Sequence, residues 1–99
     1  SVSPSDDIVV EAPRIAKNGA VVPIQVISNI SGTESIALIF ESNTKPFMAS
    51  FNIFGSEAYI STRIKIEETG SLLVVVKAGG ELFSIKQDIR VPTDRSCRA

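Results

Sequence analysis

The most distinctive reactive side chain in this sequence is its single cysteine, Cys97, close to the C-terminus. It lies between Arg95 and Arg98, whose positive charges favour the thiolate, the form of cysteine that acts as a nucleophile. The polar segment around it has no large apolar side chain to anchor it, so we expect an exposed thiol on a mobile tail. If the chain beyond Val91 were fully extended, Cys97 would lie up to roughly 20 Å from Val91.

Two interpretations of Cys97 stay open on these residues alone. In the first, it is an incidental tail thiol, or it forms an intermolecular disulfide in a β-sandwich built for protein interaction. In the second, it is a covalent carrier on a mobile arm, with Arg95 and Arg98 supporting the thiolate or an anionic cargo. One cysteine excludes an intrachain disulfide, so cysteine usage does not fix the compartment.

The remaining residues argue against catalysis and metal binding. The sequence has no histidine, which removes the usual general base and the commonest metal ligand. The adjacent acidic pairs Asp6-Asp7 and Glu67-Glu68 sit in no loop-ligand pattern. We therefore predict a protein that is not an enzyme and that holds no metal or cofactor.

Charge and hydropathy exclude two further classes of partner. The net charge is −1 and no basic stripe is visible, so nucleic acid is not an expected partner. No apolar run approaches the roughly 20 residues that a membrane-spanning helix needs, so no membrane partner is expected.

The elements that position Cys97 are predicted to be short β-strands. Residues 58–67 alternate most cleanly, with isoleucines on one face and polar side chains on the other. Arg63 and Lys65 lie on that polar face, where we expect solvation or contact with a partner or an anion. The core is predicted to include Phe47, Phe51, Ile60, Ile64, Val74 and Phe83.

Turn signals divide the chain into seven or eight such strands. Asn18-Gly19 and Gly79-Gly80 are typical of tight turns, and Pro23 favours a sheet edge or a bulge. Residues 72–76 are so apolar that we expect both faces of their strand to be covered, and residues 1–7 are expected to form a loose lead. The prediction is an all-β fold, an immunoglobulin-like antiparallel β-sandwich over residues 1–91, followed by a flexible C-terminal carrier arm over 92–99.

Five blocks of sequence, together with Glu67 and Thr69, add a more specific pattern. They are residues 12–26 (APRIAKNGAVVPIQV), 45–46 (KP), 49–51 (ASF), 60–65 (ISTRIK) and 75–80 (VVKAGG). This pattern resembles SoxY, the sulfur-carrier subunit of the bacterial sulfur-oxidising (Sox) complex. The resemblance extends over nearly the whole predicted sandwich.

The resemblance implies a sulfur carrier of thiosulfate oxidation that holds its intermediates covalently on a cysteine in a C-terminal Gly-Gly-Cys-Gly-Gly arm. That cysteine corresponds to Cys97, with Ser96 and Arg98 standing where the arm has glycines. Glycines give such an arm many backbone conformations and a thin profile for narrow channels. Arg98 therefore either obstructs entry into those channels or pairs with the anionic cargo.

The resemblance also implies partners and a compartment. It implies a heterodimer with a SoxZ-type subunit, itself a β-sandwich. The single cysteine leaves a disulfide homodimer as the alternative assembly. Further implied partners are a c-type cytochrome that attaches thiosulfate oxidatively, a manganese hydrolase that releases sulfate, and a sulfur dehydrogenase. The implied location is the periplasm, for a mature form from which a signal peptide has been removed.

Overall fold

The computed structural model of this protein describes residues 2–17, 19–40, 47–53 and 58–92, and at residues 47 and 48 it describes the backbone alone. These residues contain strands and turns and no helix. The strands are β1 Val2–Pro4, β2 Ile8–Glu11, β3 Ala20–Ser28, β4 Thr33–Phe40, β5 Phe47–Asn52, β6 Ala58–Ile66, β7 Gly70–Ala78 and β8 Glu81–Ile89.

The eight strands form two sheets. One has five strands in the order β1-β8-β7-β4-β5, and the other has three in the order β2-β3-β6. Pairing is antiparallel throughout, except between β1 and β8, which run parallel. The predicted antiparallel sandwich is confirmed, with the parallel β1 as an addition.

One hydrophobic core lies between the sheets. Alternate residues of β3, β4, β6 and β7 point inward, so each of these strands contributes one buried row. The fully buried residues include Ile24, Val26, Ile36, Leu38, Phe40, Ile64, Ile66, Leu72, Val74, Val76 and Ile89. Of the predicted core residues, Ile60, Ile64 and Val74 are buried, Phe51 and Phe83 pack against the core partly buried, and the side chain of Phe47 lies outside the description.

The predicted tight turn at Gly79-Gly80 is confirmed. It joins β7 to β8 directly, with Ala78 paired to Glu81 and φ angles of 60° and 79° at the two glycines. Positive φ at both central residues is the geometry of a type I′ hairpin, which matches the natural twist of the strands it joins. Of the predicted Asn18-Gly19 turn, Gly19 has a φ of 75° and the amide of Ala20 donates to the carbonyl of Lys17 at 2.9 Å, whereas Asn18 lies outside the described residues.

Three expectations about strands need correction. Residues 2–4 are not a loose lead, because Val2, Ser3 and Pro4 pair with Leu82, Phe83 and Ser84 on the edge of β8. The run 72–76 is not covered on both faces: its odd-numbered residues, Leu73 and Val75, are half-buried and point away from the core.

The third correction concerns β3, which is the middle strand of its sheet and not an edge strand. However, β2 pairs with β3 only from Gln25 to Ser28, so the stretch around Pro23 is paired on one side alone, by β6. A residue without a backbone donor is tolerated where a strand has an unpaired side. No helix in the described residues is long and apolar enough to cross a membrane.

Candidate functional site

The sequence-predicted site residues Arg95, Cys97 and Arg98 lie outside the described residues. The structure does describe the point from which they depart, at Val91 and Pro92. It also describes the outer faces and edges of both sheets, which are the surfaces open to other proteins. The candidate functional site therefore has two parts: the base of the C-terminal segment and the outer surfaces of the sheets.

Backbone hydrogen bonds hold the base on one side. The amide of Arg90 donates to the carbonyl of Arg14 at 2.7 Å, and the amide of Ala16 donates to the carbonyl of Arg90 at 2.8 Å. Ile15 and Arg90 thus form a parallel bridge just beyond the end of β8. The segment between β2 and β3, which Pro13 keeps out of regular pairing, is what brings these carbonyl and amide groups beside the chain's exit.

A single side chain holds the base on the other side. The amide of Val91 donates to the Thr69 hydroxyl at 2.7 Å, and the same hydroxyl donates to the Val91 carbonyl at 3.2 Å. Val91 itself is buried, 9% exposed, and belongs to the core. The next residue, Pro92, is exposed and has no amide hydrogen, so regular pairing ends there.

Sequence reasoning missed the role of Thr69. It lies in the turn between β6 and β7, where threonine is common for reasons of turn chemistry alone. Nothing in the residues around it indicates a partner 22 positions further along the chain. The only available signal was its place in the pattern that resembles SoxY, which marks the position without giving its contact.

The outer face of the five-stranded sheet carries a block of apolar side chains. Val75 lies opposite Ala37, and Leu73 lies opposite Ile39, so four half-buried residues form a continuous patch across β4 and β7. Leu82 on β8 and Val2 on β1 are paired with each other nearby, 36% and 47% exposed. We call these six residues the apolar face. The four residues on β4 and β7 are contiguous, whereas Leu82 lies opposite Lys77. Contiguous apolar surface is typical of sites of protein contact.

The outer face of the three-stranded sheet carries both polar and apolar side chains, with Val9, Val21 and Tyr59 exposed on it. Arg63 and Lys65 are exposed there, as predicted, opposite Pro23 and Val21. Among the residues that the structure describes, no group of three or more aspartate, glutamate, histidine or cysteine side chains is placed to hold a metal ion.

Two facing sheets with these strand orders define the class of the protein, an immunoglobulin-like β-sandwich. The model of the family described as "Sulfur oxidation protein SoxY" matches residues 1–94. The chain belongs to the SoxY family, as the pattern in its sequence predicted.

A solved structure agrees with this membership. The sulfur carrier protein SoxY from Chlorobium limicola f thiosulfatophilum is 34% identical, with a TM-score of 0.84 over 93% of this chain and 84% of that one. A superoxide reductase (neelaredoxin) from Ignicoccus hospitalis is 19% identical, with a TM-score of 0.73 over 86% of this chain and 80% of its own. At that identity the likeness shows the fold alone. No curated protein sequence matches the chain.

Family membership establishes the coarse function. The chain is a carrier protein of sulfur oxidation rather than a catalyst, and it works with other components of the Sox system. The family match ends three residues before Cys97, so the correspondence of Cys97 with the family's carrier cysteine rests on the resemblance described above.

Proposed function

We propose that this protein holds sulfur intermediates of thiosulfate oxidation covalently on Cys97 and presents them to partner enzymes. The observation that carries the proposal is the combination of SoxY family membership with a single cysteine six residues beyond Val91. The chain has no second thiol that could take the role. The firmly bonded base at Arg90 and Val91 supports it, because a carrier segment needs a fixed point from which to reach different partners.

The loading step forms a sulfur–sulfur bond by oxidation. The Cys97 thiol and thiosulfate join as Cys97–S–S–SO₃⁻, with release of one proton and two electrons, which a c-type cytochrome partner accepts. Water then cleaves the outer sulfur–sulfur bond in a manganese hydrolase, giving sulfate, a proton and Cys97–S–SH. A sulfur dehydrogenase partner oxidises the remaining sulfane sulfur. None of these steps requires a catalytic group on this chain.

Arg95 and Arg98 have two roles in this proposal. Their charge favours the Cys97 thiolate, of which an unperturbed thiol provides only a few per cent at neutral pH. After loading, the guanidinium groups are suited to pair with the sulfonate oxygens of the anionic adduct.

The proposed partner is a SoxZ-type subunit, and we place it on the apolar face. Leu73, Val75, Ala37 and Ile39 present a contiguous apolar block that no other described element covers. A partner that is itself a β-sandwich offers a sheet of matching shape, since stacked sheets pack face to face. The proposed location of the assembled protein is the periplasm.

The deciding experiment is the intact mass of the protein, isolated with its native partners and exposed to thiosulfate, before and after treatment with reductant. A reductant-sensitive mass increase that is absent from Cys97→Ser would support the carrier function. Arg98→Gly, which restores a glycine of the family arm, tests at the same time whether Arg98 hinders loading or assists it.

The absence of a sulfur adduct would be equally informative. If the wild-type protein showed only free thiol or a disulfide-linked dimer under conditions in which its partners are active, the covalent carrier proposal would be wrong. The protein would then be an interaction module whose cysteine serves an interchain disulfide.

A further inference from the structure

The outer edge of β6 is the longest strand edge that the structure leaves unpaired within the described residues. All nine residues of β6 pair with β3 on one side, and no described strand pairs with the other side. The other outermost strands are shorter: β1 has three residues and ends in Pro4, β2 has four, and β5 has six. An open row of backbone donors and acceptors is a template for another strand.

Three of the devices that protect an exposed edge are absent from β6, although it carries Arg63 and Lys65 on its outward face. It contains no proline, and its nine consecutive pairs with β3 leave no room for a bulge. It also has no charged side chain pointing inward, since Ile60, Thr62, Ile64 and Ile66 occupy that face. A long edge without proline, a bulge or an inward charge is open to pairing wherever Arg63 and Lys65 do not meet like charges.

The inward row of β6 is complementary to itself when two copies run antiparallel. Placing Thr62 opposite Thr62 of a second copy aligns Ile60 with Ile64 and Ala58 with Ile66, and uses all nine residues. Thr62 is the one polar residue of this row, and it is half-buried between buried isoleucines. Two threonines at a two-fold axis form a favourable cross-strand pair.

The outward row fits the same register. Ser61 then lies opposite Arg63 of the second copy, and Tyr59 lies opposite Lys65, where a cation can approach an aromatic face. Moving the axis to Arg63 would instead set two arginines against each other, and would leave only seven residue pairs. A shift of one position is excluded, because it would turn the inward face of one copy toward solvent.

We infer that two copies of this protein pair through β6, antiparallel and centred on Thr62, to form a continuous six-stranded sheet β2-β3-β6-β6-β3-β2. The interface uses only backbone groups and side chains of β6. It leaves both the apolar face and the C-terminal segment available, so it is compatible with a SoxZ-type partner and independent of the carrier function.

The test changes the charge at Ser61, which is exposed and makes no side-chain hydrogen bond in the described structure. In the proposed register Ser61→Arg places like charges opposite each other twice per dimer, and Ser61→Glu places opposite charges there twice. Dimerisation is measured by sedimentation equilibrium in a Cys97→Ser background, which removes any disulfide dimer. We expect Ser61→Arg to weaken and Ser61→Glu to tighten the dimer, each by about 2- to 30-fold in Kd.

Two controls separate this dimer from others. Ser50→Arg makes the same change on an exposed position of the five-stranded sheet, and should leave the Kd unchanged. Oxidation of a mixture of Ser61→Cys and Arg63→Cys proteins, both in the Cys97→Ser background, should give a mixed disulfide in preference to either homodimer.

Several results would overturn the inference. A protein that stays monomeric at high concentration lacks the interface altogether. A dimer that responds to Ser50→Arg and ignores both Ser61 variants pairs through the other sheet. A preferred disulfide between two Ser61→Cys chains would show that the register is wrong.

Discussion

Thr69 shows how one side chain can fix the boundary between a folded domain and the segment that follows it. Its hydroxyl both accepts from and donates to the backbone of Val91, 22 residues away. Beyond Val91 the chain meets Pro92, which cannot continue the pairing. A segment that must be presented to large partners gains from such a fixed origin, because movement of the domain end would make the position of the segment less well defined.

Replacing Thr69 by valine should lower the free energy of unfolding by about 1–3 kcal/mol, because the buried Val91 amide loses its acceptor while side-chain volume is kept. Denaturant unfolding followed by circular dichroism measures the change. Thr62→Val is the matched control, since Thr62 makes no side-chain hydrogen bond in the described structure, and it should alter stability by no more than about 0.5 kcal/mol. Equal losses in the two variants would contradict the role given to Thr69.

At the scale of the strands, alternate residues within the apolar run of β7 have different roles. Val74 is fully buried in the core, whereas its neighbour Val75 is half-buried on the apolar face. The two side chains are chemically identical, so only their alternation across the sheet gives one a structural role and the other a surface role.

The same substitution at these two positions should have different effects. Val74→Thr should lower the free energy of unfolding by about 1–3 kcal/mol, because it buries a hydroxyl without a partner. Val75→Thr should change it by no more than about 0.5 kcal/mol, because that hydroxyl reaches solvent. Thermal and denaturant unfolding of both variants measure the difference, and similar losses would show that β7 is covered on both faces.

Much of this strand arrangement could be predicted from the sequence, because burial on one face leaves a period-two pattern. The alternating isoleucines of β6 and the glycine pair after β7 are local signals, and both predictions are confirmed. The failures concern pairing partners. Val2–Pro4 is too short to carry a pattern and exists as a strand only because the edge of β8 is available. Leu73 and Val75 look like core residues because apolar side chains serve cores and interfaces alike.

The candidate site was predictable to a smaller extent. Cys97 was identified by elimination, since the sequence offers no other thiol and no histidine. Its role stays a prediction, as do the supporting roles of Arg95 and Arg98. The Thr69 contact and the position of the apolar face depend on long-range pairing, which composition and spacing do not encode.

For the whole molecule, the contacts at Val91 predict where the chain can be cut. Removing every residue after Pro92 should change the free energy of unfolding by no more than about 0.5 kcal/mol, while it abolishes formation of any sulfur adduct. Removing every residue after Ile89 also deletes the Arg90 bridge and the buried Val91, and should cost about 2 kcal/mol or more. Thermal unfolding of the two truncated proteins checks the predicted boundary between 91 and 92. A large loss in the longer one would place part of the tail within the fold.

The parallel pairing of β1 with β8 has a practical consequence for experiments on a surface. Val2 lies beside Leu82, near the start of β8, whereas Arg90 lies eight residues further along. At about 3.4 Å per residue, the first strand and the base of the C-terminal segment are about 27 Å apart, at opposite ends of the sheet. A molecule tethered to a sensor chip or a bead next to Val2 would therefore direct the base of the C-terminal segment away from the support, toward partners in solution.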